Sequence, residues 1–295
     1  MSKLIYENSF LVGCMRLGAW GAKYNTNEYE TFIDECLNNG LSDFDHADIY
    51  GDYTTEIEFG EVIKKRPDLK NKVQITTKCG IKHPCDQRAG YTVKAYDSSP
   101  EHILESVDNS LSNLGIDQIK VLLLHRPDFL MDVNAIADVF KKLSNSGKVK
   151  YFGVSNFSMT QFDLLNQKYP LVTNQIEISL FHLNAFLDGT LDQCQNLKIQ
   201  PAAWSPLGGG KLWTKSEDVQ DKKLHEVLNS MQIKYNCTSS QLLLAWLLKH
   251  PSGIIPVLGT SKSARVIESL KAMDINLCKE DWYVMLESAR GHEVA

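Results

Sequence analysis

The chain has 295 residues, of which 43% are hydrophobic and 23% charged, and its formal net charge is −5. This composition is typical of a soluble globular protein and gives no support for binding to nucleic acid or an anionic membrane surface. No apolar run approaches the roughly 18 residues that a membrane helix needs. Residues 1–8 contain no long apolar segment, so we predict no signal peptide and a cytoplasmic location.

Short apolar runs alternate with longer amphipathic segments along the whole chain. Strands are predicted at residues 10–14, 42–46, 73–78, 119–124, 150–154, 172–176, 200–204 and 253–257. Helices are predicted at 27–39, 100–114, 134–146, 159–168, 240–249 and 264–271. Strand–helix alternation without a linker predicts a single-domain α/β fold, a (β/α)8 TIM barrel spanning residues 1–295.

Small polar residues mark the predicted helix starts, because their side chains accept from free backbone N–H groups. The predicted caps are Thr26 or Asn27, Ser99, Ser158, Ser239 and Ser263. Two additions to the barrel are predicted, a short N-terminal hairpin at 2–9 and an extra C-terminal helix at 279–290. The long loops at 80–99 and 205–220 are expected to be functional, as long loops at a barrel mouth usually are.

The seven cysteines are scattered, and no two of them form a Cys-x-x-Cys pair. We predict reduced thiols that pack as small hydrophobic residues. Cys79 directly follows Lys78, and a neighbouring ammonium is able to lower the pKa of a thiol. A buried packing role is nevertheless favoured for Cys79 as well.

Three predicted strands end in residues with acid–base chemistry. Asp45 closes the second strand five residues before Tyr50, Lys78 closes the third, and His125 follows the fourth. Polar groups at the C-terminal ends of barrel strands converge on one mouth. A lysine charge lowers the pKa of a phenol from its ordinary value of about 10, and a histidine N–H can bind a carbonyl oxygen. This set suits protonation of an oxygen whose carbon accepts a hydride.

The segment 44–51 resembles the Asp-x-Ala-x-x-Tyr-Gly signature of the aldo-keto reductases, and the segments around residues 78 and 125 resemble the family's lysine and histidine segments. The resemblance extends from about residue 10 to about residue 290 and is strongest to small bacterial NADPH-dependent members of uncertain substrate. It implies that Tyr50 is the general acid/base and that Lys78 lowers its pKa. It also implies that Asp45 holds Lys78 and that His125 orients the carbonyl group.

Three later segments, 153–157, 174–177 and 202–207, resemble the nicotinamide-binding segments of that family. The resemblance implies that the nicotinamide carboxamide binds the side chains of Ser155, Asn156 and Gln175. It further implies that Trp204 stacks on the nicotinamide ring. Backbone amides near Ser205 and Leu207 are then expected to meet the pyrophosphate.

The segment 256–268 resembles the family's adenosine-phosphate site. The residues implied there are Gly259, Ser261, Lys262, Arg265 and Glu268. A helix N-terminus favours an anion, and two added cations suit a 2′-phosphate. We therefore predict NADPH (NADP+) as the cofactor rather than NADH.

The substrate is predicted to be a small-molecule carbonyl compound held by Met15, Trp20, Tyr53 and Arg126. Three positions depart from the commoner family pattern: Met15 stands where an aromatic residue is often found, Trp204 where tyrosine or phenylalanine is commoner, and Ser269 where asparagine is frequent. These departures bear on the substrate pocket and the adenine contact. We expect a monomer or weak homo-oligomer.

Three alternatives compete with the reductase hypothesis. Lys78 could form a Schiff base in a barrel aldolase, and the chain could be a cofactor-sensing subunit of a larger complex. A metal site at His46, Asp48 and His125 is disfavoured because no His-x-His pair is present.

Gly208–Gly210 lacks the spacing of a phosphate-binding loop, so we predict a flexible loop over the pyrophosphate.

Overall fold

The computed structural model describes residues 5–6, 8–213 and 219–295. Its strands, in chain order, are β1 (Leu11–Gly13), β2 (Asp43–Asp45), β3 (Gln74–Cys79), β4 (Ile81–Lys82), β5 (Ala95–Tyr96), β6 (Ile119–Leu124), β7 (Val149–Ser155), β8 (Asn174–Glu177), β9 (Ala202–Trp204) and β10 (Ile255–Leu258). Eight of them pair in parallel in the closed order β1-β10-β9-β8-β7-β6-β3-β2. The predicted barrel is confirmed, and the ends of the eight predicted strands differ from those observed by at most two residues.

The helices surround this barrel. They are α1 (Thr26–Asn38), α2 (Tyr50–Tyr53), α3 (Thr55–Lys65), α4 (Pro100–Leu114), α5 (Val133–Asn145), α6 (Met159–Asn166), α7 (Asn184–Leu187), α8 (Thr190–Leu197), α9 (Val219–Tyr235), α10 (Ser239–Leu248), α11 (Ser263–Ser269) and α12 (Lys279–Arg290). Short 3-10 segments lie at Pro67–Leu69, Asp86–Arg88, Gly208–Trp213 and Leu270–Asp274. In the described part of the chain, no helix is both long and apolar enough to cross a membrane.

Side-chain caps fix where several helices begin. Ser99 and Ser158 cap α4 and α6 as predicted. The predicted caps of α1 and α10 are wrong by one or two residues, because Asn25 and Thr238 each form a capping box with the residue three positions later. The predicted cap at Ser263 is also wrong: Lys262 occupies that position in α11 and makes no side-chain capping bond.

The barrel closes between the first and last strands, where Leu11 pairs with Val257. Apolar side chains from β1, β6, β9 and β10 form one buried cluster. Because these strands lie on different sides of the barrel, the cluster fills its interior. A buried ion pair lies near it, with Lys120 Nζ 2.7 Å from Asp43 Oδ1. The barrel is thus a filled core, and ligands must bind at its mouth.

Two additions to the barrel were predicted. The C-terminal helix is confirmed as α12, where the Trp282 ring stacks on Trp246 at 4.8 Å and the two residues exchange indole N–H to carbonyl bonds. Half of the predicted N-terminal hairpin at 2–9 lies outside the described residues, and residues 5–6 and 8–9 carry no strand. The loop at 80–99 contains an unpredicted antiparallel pair, β4 and β5, beside the mouth.

Candidate active site

Barrel geometry brings the four predicted catalytic residues to one mouth. Asp45 is the last residue of β2, Lys78 is the penultimate residue of β3, and His125 follows β6 directly. These three strands are consecutive in the barrel. Tyr50 begins α2, on the loop that leaves β2, and its ring centroid lies 6.0 Å from that of His125.

The ammonium of Lys78 is the centre of this group. Its Nζ donates to Asp45 Oδ2 at 2.7 Å, to the His46 carbonyl at 2.7 Å and to the Tyr50 hydroxyl at 3.1 Å. All three ammonium protons therefore have acceptors. Lys78 is 1% exposed, so water does not compete for these bonds.

Burial and neighbouring charge act against each other at Lys78 and Tyr50. Burial lowers the pKa of Lys78, but Asp45 and Tyr50 outweigh it and hold the pKa above its ordinary value. Burial raises the pKa of Tyr50, and the ammonium of Lys78 opposes that rise. The net pKa of Tyr50 lies above that of a free phenol, so lysine offsets part of the cost of burial and the hydroxyl is protonated at neutral pH.

His125 is a neutral imidazole. Burial lowers its pKa well below the ordinary value, and the charges of Lys78, Arg126 and Lys94 lower it further. Its Nδ1 is buried without a hydrogen-bond partner among the described residues. A neutral imidazole has one N–H, so His125 can donate one hydrogen bond to a ligand oxygen from this position.

The backbone after Tyr50 is left-handed over consecutive residues, with φ of 60° at Gly51, 57° at Asp52 and 70° at Tyr53. Two side chains hold Asp52 in this conformation: Trp20 Nε1 lies 3.1 Å and His83 Nε2 3.3 Å from its Oδ1. Non-glycine residues adopt this region only where the surroundings compensate for the strain. The strain therefore lies directly beside the proposed acid.

Tyr53 is tied into the same loop. Its hydroxyl donates to the Ile81 carbonyl at 3.2 Å and accepts from the His83 backbone N–H at 2.9 Å. The Arg88 guanidinium lies 4.6 Å from the centroid of its ring. These contacts fix the position of Tyr53, and its contact with substrate stays a prediction.

A chain of hydrogen bonds connects the predicted nicotinamide-binding residues with the catalytic group. Trp204 Nε1 donates to Asn156 Oδ1 at 2.9 Å, Asn156 Nδ2 donates to Ser155 Oγ at 2.8 Å, and Ser155 Oγ donates to the Gln175 carbonyl at 2.8 Å. Gln175 Nε2 then donates to Asp45 Oδ1 at 2.8 Å. Each carboxylate oxygen of Asp45 thus has its own partner, one in the lysine and one in the glutamine.

Two more non-glycine residues with left-handed backbone lie in the predicted cofactor segments, Asn156 with φ of 60° and Ser205 with φ of 50°. Asn156 follows β7 and Ser205 follows β9, so both lie at the mouth. Leu207, two residues after Ser205, is half-buried against the core. Strained backbone at strand ends is typical of ligand-binding positions.

The predicted adenosine-phosphate residues surround the start of α11. Lys262 and Arg265 are exposed, and neither has a salt bridge to a described carboxylate. Gly259 is exposed with open space around it, the Ser261 carbonyl accepts from the Tyr24 hydroxyl, and the Glu268 carbonyl accepts from Gln241 Nε2. Because α11 lacks a side-chain cap, its first N–H groups are available to an anion.

Ser269, where the family more often has asparagine, turns back on its own helix. Its hydroxyl donates to the Arg265 carbonyl at 2.8 Å. The residue is buried. Its side chain is therefore occupied within the helix rather than directed to a ligand.

Two predicted substrate residues lie close to the catalytic group. The Trp20 ring lies 6.1 Å from the Tyr50 ring, and Met15 packs on the same small cluster. Arg126 reaches toward the other wall, where its Cζ lies 5.8 Å from the centroid of the Trp204 ring. Sequence reasoning missed Asp52 and His83, which fix this wall; neither stands in a motif.

Two further residues singled out in the sequence, His46 and Cys79, are buried. His46 is fully buried against the Phe59 ring, and burial lowers its pKa to about 3, which indicates packing. No group of described His, Cys, Asp and Glu side chains could hold a metal ion. Burial raises the pKa of the Cys79 thiol well above its ordinary value, so activation by Lys78 is not supported.

The sequence model of the aldo/keto reductase family matches residues 10–289 of this chain. The protein belongs to the aldo/keto reductase family. The chain is 41% identical to the uncharacterized oxidoreductase YcsN of Bacillus subtilis, covering 96% of this chain and 94% of the relative. It is 40% identical to the oxidoreductase YdhF of Escherichia coli, with coverage of 97% and 94%. The chain is therefore an oxidoreductase of the aldo/keto reductase family.

A third relative, at 37% identity, is a 6-dehydroglucose reductase of Agrobacterium fabrum, with coverage of 100% of this chain and 96% of the relative. Among solved structures, the fold matches a thermostable aldo-keto reductase, Tm1743, in complex with the inhibitor epalrestat. The TM-score is 0.80 over 98% of both chains at 23% identity. That match supports the aldo/keto reductase barrel.

Proposed function

We propose that this aldo/keto reductase uses NADPH to reduce aldehydes or ketones to alcohols. The observation that carries the proposal is the buried Lys78 ammonium, which binds Asp45 and the Tyr50 hydroxyl beside a neutral His125. This arrangement suits the delivery of one proton to a carbonyl oxygen. Reduced nicotinamide, when bound, supplies the hydride that the carbonyl carbon accepts.

The protein residues divide the remaining work. His125 donates a hydrogen bond that orients the carbonyl oxygen, and the Tyr50 hydroxyl gives that oxygen its proton. The ammonium of Lys78 then stabilises the phenolate that Tyr50 becomes. Asp45 keeps Lys78 charged and in place. Asp45 is itself held by Gln175, which donates to the second oxygen of its carboxylate.

The residues at the mouth fit the cofactor. Gln175 uses its amide N–H for Asp45, which leaves its Oε1 to accept from the nicotinamide carboxamide. The Trp204 ring is fixed by its bond to Asn156 and presents an indole surface on which the nicotinamide ring would stack. The uncapped start of α11, with Lys262 and Arg265, would hold the 2′-phosphate.

The Schiff-base alternative conflicts with the state of Lys78. A nucleophilic amine must lose its proton and expose a lone pair. Here the pKa of Lys78 is raised, and its three donors bind Asp45, Tyr50 and a backbone carbonyl. We therefore favour the reductase.

The first experiment is a titration of NADPH and NADH followed by tryptophan fluorescence, then NADPH oxidation with a panel of aldehydes and ketones. We expect NADPH to bind at lower concentration than NADH, and Lys262→Ala with Arg265→Ala to remove that preference. Tyr50→Phe should lower turnover by about 10²–10⁴-fold, the range for loss of a general acid, with NADPH binding retained.

Three outcomes would contradict the proposal or part of it. If neither nucleotide binds, the cofactor assignment is wrong. Tight NADPH binding without turnover on any carbonyl would instead favour the cofactor-sensing alternative. Near-normal turnover in Tyr50→Phe would show that another residue supplies the proton.

A further inference from the structure

Arg126 crosses the mouth of the barrel. It follows His125 at the end of β6, yet its guanidinium lies 5.8 Å from the ring centroid of Trp204 at the end of β9. Two strands, β7 and β8, separate β6 from β9 on this side of the barrel. A substrate held by His125 and Tyr50 would therefore meet this guanidinium.

The positive charge of Arg126 is not neutralised by the protein. No carboxylate in the described ranges lies within salt-bridge distance of Arg126, whereas Arg66 binds Glu30, Asp34 and Asp68. The nearest acid in sequence, Asp128, uses its oxygens to accept from Ser98 and from the Leu130 backbone. The contact with the Trp204 indole gives only partial compensation.

A second cation strengthens the positive field. Lys94, on the exposed loop after β3, lies close enough for its charge to act on His125. It also has no salt bridge to any carboxylate that the structure describes, unlike Lys82 of the same loop, which binds Asp97 at 2.6 Å. Uncompensated cations around a cleft attract and orient an anion.

We infer that Arg126 binds an anionic group of the substrate, and that the preferred substrates are aldehydes or ketones carrying a carboxylate. The inference rests on the proposed reductase function and narrows its substrate class. A guanidinium binds a carboxylate through two parallel N–H···O bonds. The site therefore selects the orientation of the substrate as well as its charge. The carboxylate of Asp52, on the other wall, is already bound by the Trp20 indole N–H and by His83.

The test compares two aldehydes of similar size, 4-carboxybenzaldehyde and its neutral methyl ester. For the wild-type protein we expect kcat/KM to be about tenfold or more higher for the acid, as for a charge-assisted hydrogen bond. Arg126→Met should bring the acid-to-ester ratio close to one, chiefly through a higher KM for the acid. Arg126→Lys should keep part of the preference, since it keeps the charge but not the planar fork.

Arg290→Met, on the terminal helix α12, is the matched control. It also removes one positive charge, and it should leave the acid-to-ester ratio unchanged. Raising the salt concentration from about 0.05 M to about 0.5 M should shrink the ratio in the wild type, because salt screens exposed charges. Circular dichroism of each variant confirms that it is folded.

Several results would overturn the inference. Equal or better turnover of the ester by the wild type would do so, as would an unchanged ratio in Arg126→Met. A higher kcat/KM for a neutral polyhydroxylated aldehyde such as glyceraldehyde would also overturn it. Failure of the reductase proposal is distinguishable, because in that case neither benzaldehyde would be reduced.

Discussion

At the residue scale, the site depends on one buried cation whose neighbours decide its chemistry. Lys78 and Tyr50 share a hydrogen bond, and burial and charge act on both in opposite directions. The four catalytic candidates were predictable because each closes or follows a strand within a recognisable motif. The bond between Gln175 and Asp45 was not, since it joins residues 130 positions apart across the barrel.

The first prediction concerns pH. Carbonyl reduction needs protonated Tyr50, whose pKa is raised, so kcat/KM should stay level through neutral pH and fall only in the alkaline range. No inflection is expected near pH 6.5, because the pKa of His125 lies well below that value. In Lys78→Met the alkaline inflection of the residual activity should move to a still higher pH, since the charge that lowers the pKa of Tyr50 is gone. Rate profiles from about pH 5 to about pH 11 test this, and an inflection near the ordinary histidine value would contradict it.

The second prediction concerns the indole N–H of Trp204. Trp204→Phe keeps an aromatic surface but removes the donor that orients Asn156. We expect NADPH to bind about two- to tenfold more weakly, the range for one neutral hydrogen bond. Isothermal calorimetry is the measurement, because the substitution also changes the fluorescence. Tyr283→Phe, which removes an exposed hydroxyl on α12, is the control, and equal affinities in the three proteins would refute the role of the N–H.

At the element scale, local sequence patterns located the strands and most helices but misplaced several helix starts. Asn25 and Thr238 are hard to recognise as caps because the adjacent Thr26, Asn27 and Ser239 are also good capping residues. Only the reciprocal hydrogen bond with the residue three positions later distinguishes the true caps. The pair β4 and β5 was missed because two-residue strands carry no periodic signal. Contacts between loops, such as the one between Trp20 and Asp52, depend on the closed barrel and leave no local pattern.

The third prediction separates backbone strain from side-chain contact at Asp52. Asp52→Ala loses the bonds to Trp20 and His83 and retains a strained left-handed residue. Asp52→Gly loses the same bonds but adopts positive φ without cost, so it should be more stable than the alanine variant by about 1 kcal/mol. Both should reduce kcat/KM, because Trp20 is released beside Tyr50. Urea unfolding with matched kinetics measures both effects, and an alanine variant as stable as the glycine variant would show that the strain is absent.

At the scale of the whole molecule, the barrel contains a second buried ion pair besides that of Lys78 and Asp45. Asp43 and Lys120 are nearly inaccessible, and they lie toward the N-terminal ends of β2 and β6, away from the catalytic mouth. Motif and alternation predicted the barrel and its active end. They did not predict this pair, since a charge within an apolar run gives no indication of its partner.

The fourth prediction follows from that burial. Lys120→Met removes the ammonium that lies 2.7 Å from Asp43 Oδ1, and we expect the free energy of unfolding to fall by about 3–5 kcal/mol. Removing both charges with Asp43→Leu and Lys120→Met should recover most of that loss. Urea denaturation gives both values. If the single variant were as stable as the wild type, the pair would contribute nothing to the fold.

The closure of β1 on β10 also governs when the active site can exist during synthesis. The strands that pair there are about 246 residues apart in the chain, so the first strand waits on the ribosome until the last has emerged. At roughly 5–20 residues per second, that wait is on the order of ten seconds to a minute. During it, the apolar edge of β1 is unpaired and open to association with other nascent chains. Acid–base chemistry therefore becomes possible only after β10 has emerged, and fragments that end before β10 should be inert.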